Sequence, residues 1–293
     1  MTEVQEPALQ QPAGQEPAVS VRDLSLRYPS RNPETRSIAV NGVSFDIAPG
    51  EVLAVVGETG SGKSTLAKAI ALQADLPAES SPDITGGSLS VLGTAVRGIS
   101  NHKRGRLSLY VGYLPQEAGD YLEPHLTVGE NVAEPIFSRD RRFDQDEAGQ
   151  AVATLIDSVR LPLGTMNMYP HELSKGQRQR VAIARAMILQ PRVLIADDPT
   201  AGIDVTVRAA ILDIIVSMQK EHGFSALVVT ADLGEVRRIS DRVAIMHGGI
   251  IVGIGDVEQV LADPRHPYVT GLAHSLDHLK GGQVSISKEQ SVY

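Results

Sequence analysis

The 293-residue chain contains no cysteine, which excludes disulfides, thiolate zinc sites and iron–sulfur clusters. Aromatic residues are scarce, at 4%. No apolar run approaches the ~18 residues that a membrane span needs. The longest, Val243 to Ile254, is interrupted by His247-Gly248-Gly249, and Gly-Gly between two β-rich runs reads as a hairpin turn. The N-terminus lacks a basic, apolar signal pattern, so membrane contact is expected only through a partner. Positive charge is also in deficit. With 27 Lys+Arg against 35 Asp+Glu, the net charge is −8, which argues against nucleic acid as a partner.

A hydrophobic content of 42% is ample for a buried core. Residues 1–18, rich in Gln, Pro, Glu and Ala without periodicity, are expected to form a disordered tail. Strand-like alternation occupies Val19 to Tyr28 and Ile38 to Ile47, and Val52 to Val56 has the short apolar form of a buried parallel strand. A helical pattern runs from Lys63 to Gln73. Asp75 to Gly87 and Arg97 to Arg106 read as solvated loops, and Ser108 to Leu114 as a strand.

Residues 120–170 are more polar, with helical stretches at Val128 to Pro135 and Glu147 to Val159, and are expected to form a helical subdomain. Ser174 to Leu189 reads as a helix capped by Ser174. Val193 to Ala196 and Ser225 to Thr230 read as buried strands around an amphipathic helix, Val205 to Glu221, that Gly223 ends. A small helix is expected at Asp256 to Leu261, and a polar tail over 276–293. Strands alternating with helices predict an α/β fold with a mostly parallel sheet covered on both faces. No internal repeat is visible, so a single nucleotide-binding unit is expected.

Four motifs carry the chemistry. Gly57 to Thr65 reads GETGSGKST, and its placement after a strand and at the opening of a helix is the context a phosphate-binding loop requires. Its glycines let backbone N–H groups converge on phosphates, while the helix N-terminus adds positive potential. Gly57, Glu58, Thr59, Gly60, Ser61, Gly62, Lys63, Ser64 and Thr65 are therefore assigned to nucleotide binding. Lys63 is expected at the β and γ phosphates, and Ser64 on Mg²⁺. Val193 to Thr200 reads VLIADDPT, in which Asp197 ends an apolar strand, the usual geometry for a carboxylate that reaches Mg²⁺ through water. The remaining two are LSKGQ at Leu173 to Gln177 and VVTADL at Val228 to Leu233.

Taken in order, these motifs resemble those of the ATP-binding subunit of an ABC transporter, over roughly residues 19–275. The resemblance implies a phosphate-loop NTPase core, an antiparallel β subdomain and a helical subdomain, with ATP and Mg²⁺ as cofactors. It implies adenine stacking on Tyr28, contact of Gln116 with Mg²⁺ and the attacking water, and a dimer-interface position for Asp204. Ser174, Gly176 and Gln177 resemble the signature that closes on ATP held by a second subunit. Lys175 stands where glycine is usual; it would sit near the partner's γ-phosphate or face solvent, and the solvent-facing reading is preferred.

Two positions depart from the family where catalysis is decided. Asp198 replaces the glutamate that polarises the attacking water, and Ala231 replaces a histidine. The chain is thus expected to bind ATP and hydrolyse it poorly at its own site, as the degenerate member of an ATPase heterodimer. LEPHLTVGENVAEP, YPHELSKGQRQRVAIARAM and DPRHPYVTGL are similar to segments of the oligopeptide, dipeptide and nickel importer group, although the C-terminal cysteine cluster found in many of its members is absent. That resemblance implies a peripheral protein on the cytoplasmic face of the membrane, with two permease subunits, a second ATPase and an extracytoplasmic substrate-binding protein, and with peptides or metal complexes as cargo. The alternatives are a cytosolic ABC ATPase that acts on ribosomes or DNA, and an ATP-binding regulatory subunit with little turnover.

Overall fold

Residue patterning places a covered parallel sheet at the centre of the chain. The computed structural model describes residues 16–29, 38–78 and 80–274. Of the tail expected at 1–18, only 16–18 are described, and Ala18 is buried there. The tail expected at 276–293 lies outside the described residues.

Two sheets organise the described chain. β1 (Val19–Arg27), β2 (Ile38–Ile47), β4 (Asp83–Val91) and β5 (Thr94–Ala95) make an antiparallel sheet in the order β2-β1-β4-β5. The larger sheet has the order β10-β9-β3-β8-β7-β6, built from β3 (Val52–Gly57), β6 (Val111–Leu114), β7 (Val193–Asp197), β8 (Ser225–Thr230), β9 (Arg242–His247) and β10 (Ile250–Asp256). Its strands pair in parallel except for the β9–β10 hairpin. Gly248 and Gly249 take positive φ at that turn, which glycine adopts without steric cost.

Side chains alternate faces along a strand, and here both faces are buried. Ala54, Val56, Leu194, Ala196, Ala226 and Val228 enter one core cluster. Leu53, Val55, Val193, Ile195, Leu227 and Val229 enter the other. The first cluster is completed by α3 (Val128–Phe137), α4 (Gln145–Ser158), α5 (Lys175–Met187), α6 (Val205–His222) and α7 (Leu233–Ile239). The second takes in the antiparallel sheet and α1 (Lys63–Lys68), which runs on into a π-helical turn, Ala69–Gln73. A short helix, α8 (Val257–Ala262), is capped by Asp256.

Four expectations are corrected. Arg97 to Arg106 is not simply a loop, because Asn101–Leu107 forms α2, capped by the Ser100 hydroxyl. That helix is tied inward by Arg104, whose guanidinium donates to the Leu72 and Ala74 carbonyls at 2.5 and 2.7 Å. These contacts outweigh a polar sequence with little helical periodicity. The strand expected from Ser108 begins only at Val111, since Ser108 to Tyr110 close the end of α2 through bonds to Arg104, Arg106 and Leu107. The connection expected at Asp75 to Gly87 ends early, at β4, whose two glycines disguise it in the sequence. Helix α3 passes through Pro135 to Phe137, because Ile136 is buried and holds the two added residues in place.

Candidate ATP site

At the carboxyl end of β3 the chain turns through the phosphate loop into α1. Gly62 adopts φ 99°, and a methyl there would collide with the Ala39 carbonyl. A methyl on Gly57 would likewise strike the Met246 carbonyl. The loop is thus pressed against β2 and β9, and neither glycine tolerates a side chain. Lys63 is 8% exposed, and its ammonium donates to the Gly57 and Glu58 carbonyls, both at 2.7 Å. The side chain is folded over the loop that would cradle phosphates. Burial pulls its pKa below the ordinary value, against the pull of Asp198, Asp197 and Glu58.

The hydroxyl of Ser64 donates to Asp197 Oδ1 at 2.8 Å. Asp197 is 2% exposed, and burial raises its carboxyl pKa while the Ser64 bond, Lys68 and Lys63 oppose the rise. A hydroxyl and a carboxylate side by side at a phosphate loop form an oxygen donor set suited to Mg²⁺, which is held through few protein ligands plus substrate phosphates. When bound, Mg²⁺ neutralises charge that develops on the β and γ phosphates.

Asp198 follows in a left-handed conformation, φ 51°, with its N–H bonded to Val229 O at 3.0 Å. Burial and the neighbouring Asp197 raise its pKa. Ala231 is exposed just past the end of β8. Tyr28 is half-buried beside the loop; Thr65 Oγ1 lies 3.4 Å from its hydroxyl and the Lys68 ammonium 5.8 Å from its ring centroid. Gln116 is exposed, two residues beyond β6. Gly57, Lys63, Ser64, Thr65, Tyr28, Asp197 and Asp198 are therefore brought together.

The signature residues use their hydrogen bonds on one another. Ser174 Oγ accepts from Gln177 N–H at 3.3 Å, and Gln177 Oε1 accepts from Ser174 N–H at 2.9 Å, a capping box that starts α5. Lys175 is not simply turned to solvent, because its ammonium pairs with Glu117 at 2.6 Å over Gly202. The segment after Gln116, the LSKGQ segment and the loop before Asp204 thus meet at one ion pair. Asp204 caps α6 by accepting from Thr206 N–H at 3.0 Å.

Two buried residues escaped the sequence reading. Gln179, 2% exposed, accepts from Gly119 N–H at 3.0 Å and donates to Pro199 O at 2.9 Å, so it links the segment after Gln116 to the one after Asp198. Glu235, 9% exposed, accepts from the hydroxyls of Thr200 and Thr230. An acidic residue in the first turn of a helix reads as complementing the helix dipole, and that reading hides it. Burial raises the Glu235 pKa, the two threonine hydroxyls oppose the rise, and Asp232 and Asp198 add to it.

Folded Glu235 therefore holds its proton more tightly than the unfolded chain does. Its contribution to stability falls as pH rises from the ordinary glutamate range through the folded pKa. Glu235→Gln removes that titration. Its melting temperature relative to wild type is expected to be higher near pH 7 than near pH 4; a difference independent of pH would show that burying this charge costs nothing.

Two hollows lie elsewhere. One, of about 720 Å³, sits at the opposite, amino ends of β3, β7 and β8, beside Pro49, Arg192 and Phe224. The other, of about 700 Å³, lies between α3 and α4. Neither is lined by the phosphate loop.

Comparison with known proteins agrees with this geometry. The family model described as ABC transporter matches residues 40–201. The chain is 35% identical over 268 residues to an oligopeptide transport ATP-binding protein of Bacillus subtilis, covering 89% of this chain and 72% of that protein. It is 41% identical over 261 residues to a peptidoglycan transport ATP-binding protein of Agrobacterium fabrum, covering 87% of this chain but only 46% of that one. Among solved structures, a dimeric ATP-binding cassette in a post-hydrolysis state with ADP and Pi superposes with a TM-score of 0.71 at 26% identity, over 82% of this chain and 98% of that one. The phosphate loop, the Ser64–Asp197 pair and these likenesses agree: the chain belongs to the ABC transporter family, as an ATPase that uses ATP and Mg²⁺.

Proposed function

We propose that this chain is the ATP-driven subunit of a peptide importer, working at the cytoplasmic face of the membrane with two permease subunits, an extracytoplasmic binding protein and a second, non-identical ATPase. The peptide cargo is supported by the names of its relatives, whereas no feature of the site favours the nickel or metal-complex cargo. Among the described residues no helix is long and apolar enough to cross a membrane, and transport by this reading requires the permease. The second ATPase is proposed because Asp198 shortens the carboxylate and Ala231 removes a side-chain donor, both of which would slow hydrolysis at this chain's own site.

The observation that carries the transport reading is the hollow between α3 and α4, lined by Ala133, Phe137, Arg141, Gly149, Val152 and Met166. It offers a permease an apolar seat away from the nucleotide. Charge reversal at Glu130 or Glu134 would be a poor probe of it. Glu130 completes the capping box of α3 with Thr127, and Glu134 pairs with Arg185 at 2.8 Å and accepts from Ser138. Gly149 is the better choice, since a Cβ there meets nothing within 4 Å and helix propensity rises when glycine is replaced. Gly149→Phe is expected to abolish co-purification with the permease while leaving ATP affinity, measured by calorimetry, unchanged. Normal assembly of that variant would remove this surface from the account.

A further inference from the structure

Strands β7 and β8 deliver Asp198 and residue 231 to the same end of the sheet, and one buried carboxylate joins the two segments. Glu235 lies in the first turn of α7. It accepts from Thr200 Oγ1 at 3.1 and 3.2 Å and from Thr230 Oγ1 at 2.7 Å. Both threonines are buried, at 3% and 1% exposure. Thr200 stands two residues after Asp198 in the same segment. Thr230 immediately precedes Ala231, and its hydroxyl accepts from Asp232 N–H at 3.0 Å.

Stability does not account for this glutamate. It is flanked by the buried Leu233, Val236 and Ile239, and among the described residues it has no basic partner. A desolvated carboxylate without a counter-charge is costly, and an apolar side chain would suit the helix face better. What the carboxylate supplies is a fixed connection that no apolar residue could make.

We infer that Glu235 is a positioning residue, which clamps the loop bearing residue 231 to the segment bearing Asp198 so that both face the γ-phosphate in one arrangement. The inference rests on reading Asp198 as the carboxylate that polarises water. The clamp matters more here than beside a glutamate, because the shorter aspartate has less reach with which to correct a displaced backbone. Without it, the Thr200 and Thr230 hydroxyls lose their common acceptor and the two loops move independently.

The test compares kcat and KM for Mg-ATP in the purified full chain, with Glu235→Ala, Glu235→Gln, Thr200→Val, Thr200→Ser and Asp198→Asn. A displacement of ~1 Å can cost a hundredfold in rate, and a loosened loop is expected to cost about tenfold. Glu235→Ala and Thr200→Val should each lower kcat by that amount while KM stays within about twofold of wild type. Glu235→Gln keeps an acceptor for one hydroxyl and an amide donor for the other, and should recover most of the rate, as should Thr200→Ser. Wild-type kcat in both Glu235→Ala and Thr200→Val would overturn the inference. So would a fall in kcat matched by a rise in KM, the mark of a generally loosened fold. Asp198→Asn separates the two readings: wild-type turnover in that variant refutes the role of Asp198, whereas slow turnover there with normal turnover in Glu235→Ala and Thr200→Val refutes only the clamp.

Discussion

Lys63→Ala is expected to remove most ATP binding, weakening affinity at least a hundredfold. The ammonium is already at the phosphate loop, held by the Gly57 and Glu58 carbonyls at 2.7 Å, and ATP would draw it from these neutral acceptors to charged phosphate oxygens. Hydrogen bonds to charged groups contribute ~1.5–3 kcal/mol each, so two of them lost gives at least ~3 kcal/mol, or about a hundredfold in Kd. The substitution also frees two loop carbonyls that the lysine now satisfies, which loosens the cradle further. Tyr28→Ala should weaken binding less, on the order of the ~1–3 kcal/mol of base–aromatic stacking. Calorimetry with wild-type affinity in Lys63→Ala would overturn the site assignment.

The second large effect is an asymmetry between two ATP sites in the assembled transporter. Each ATP in the proposed heterodimer lies between one subunit's phosphate loop and the other's signature. The site that uses Lys63 therefore uses Asp198 and Ala231, and loses about one methylene of carboxylate reach and one side-chain donor. A missing transition-state donor costs ~3 kcal/mol, and the two losses share a reaction centre and need not add. The partner's ATP would meet Ser174, Gly176 and Gln177 of this chain, which α5 presents in a well-formed cap. Asp198→Asn is thus expected to change the ATPase rate of the whole complex only slightly, while neutralising the equivalent carboxylate of the partner nearly abolishes it. Collapse of activity in Asp198→Asn would reverse the assignment of the two sites.

How much of this was legible in the sequence depended on the range of the interactions. The buried strands at Val52, Val193 and Ser225 were readable because apolar runs between turn residues admit few other structures. The phosphate loop was readable because its glycines, lysine and serine lie in one short segment. Helix α2 was not, since its stability comes from Arg104 reaching carbonyls some thirty residues earlier. The Lys175–Glu117 pair and the Glu235 clamp were missed for the same reason: each joins segments distant in sequence, and neither shows in local periodicity. Gln116 was named from the motif order, yet it was Gln179, inside the signature helix, that proved to bridge the segments after Gln116 and Asp198.

The central claim is that this chain's own site binds ATP but turns it over slowly, with a shortened carboxylate at Asp198 and no side-chain donor at Ala231. Single-turnover hydrolysis by the purified chain, wild type against Asp198→Glu combined with Ala231→His, tests it most directly. Ala231 is exposed, so a histidine can be placed there without repacking. Restoring a transition-state donor alone is worth ~10²-fold or more, so the double variant is expected to hydrolyse ATP at least tenfold faster with unchanged ATP affinity. A wild-type chain that already turns over at an ordinary transporter rate, with no gain in the double variant, would contradict the account.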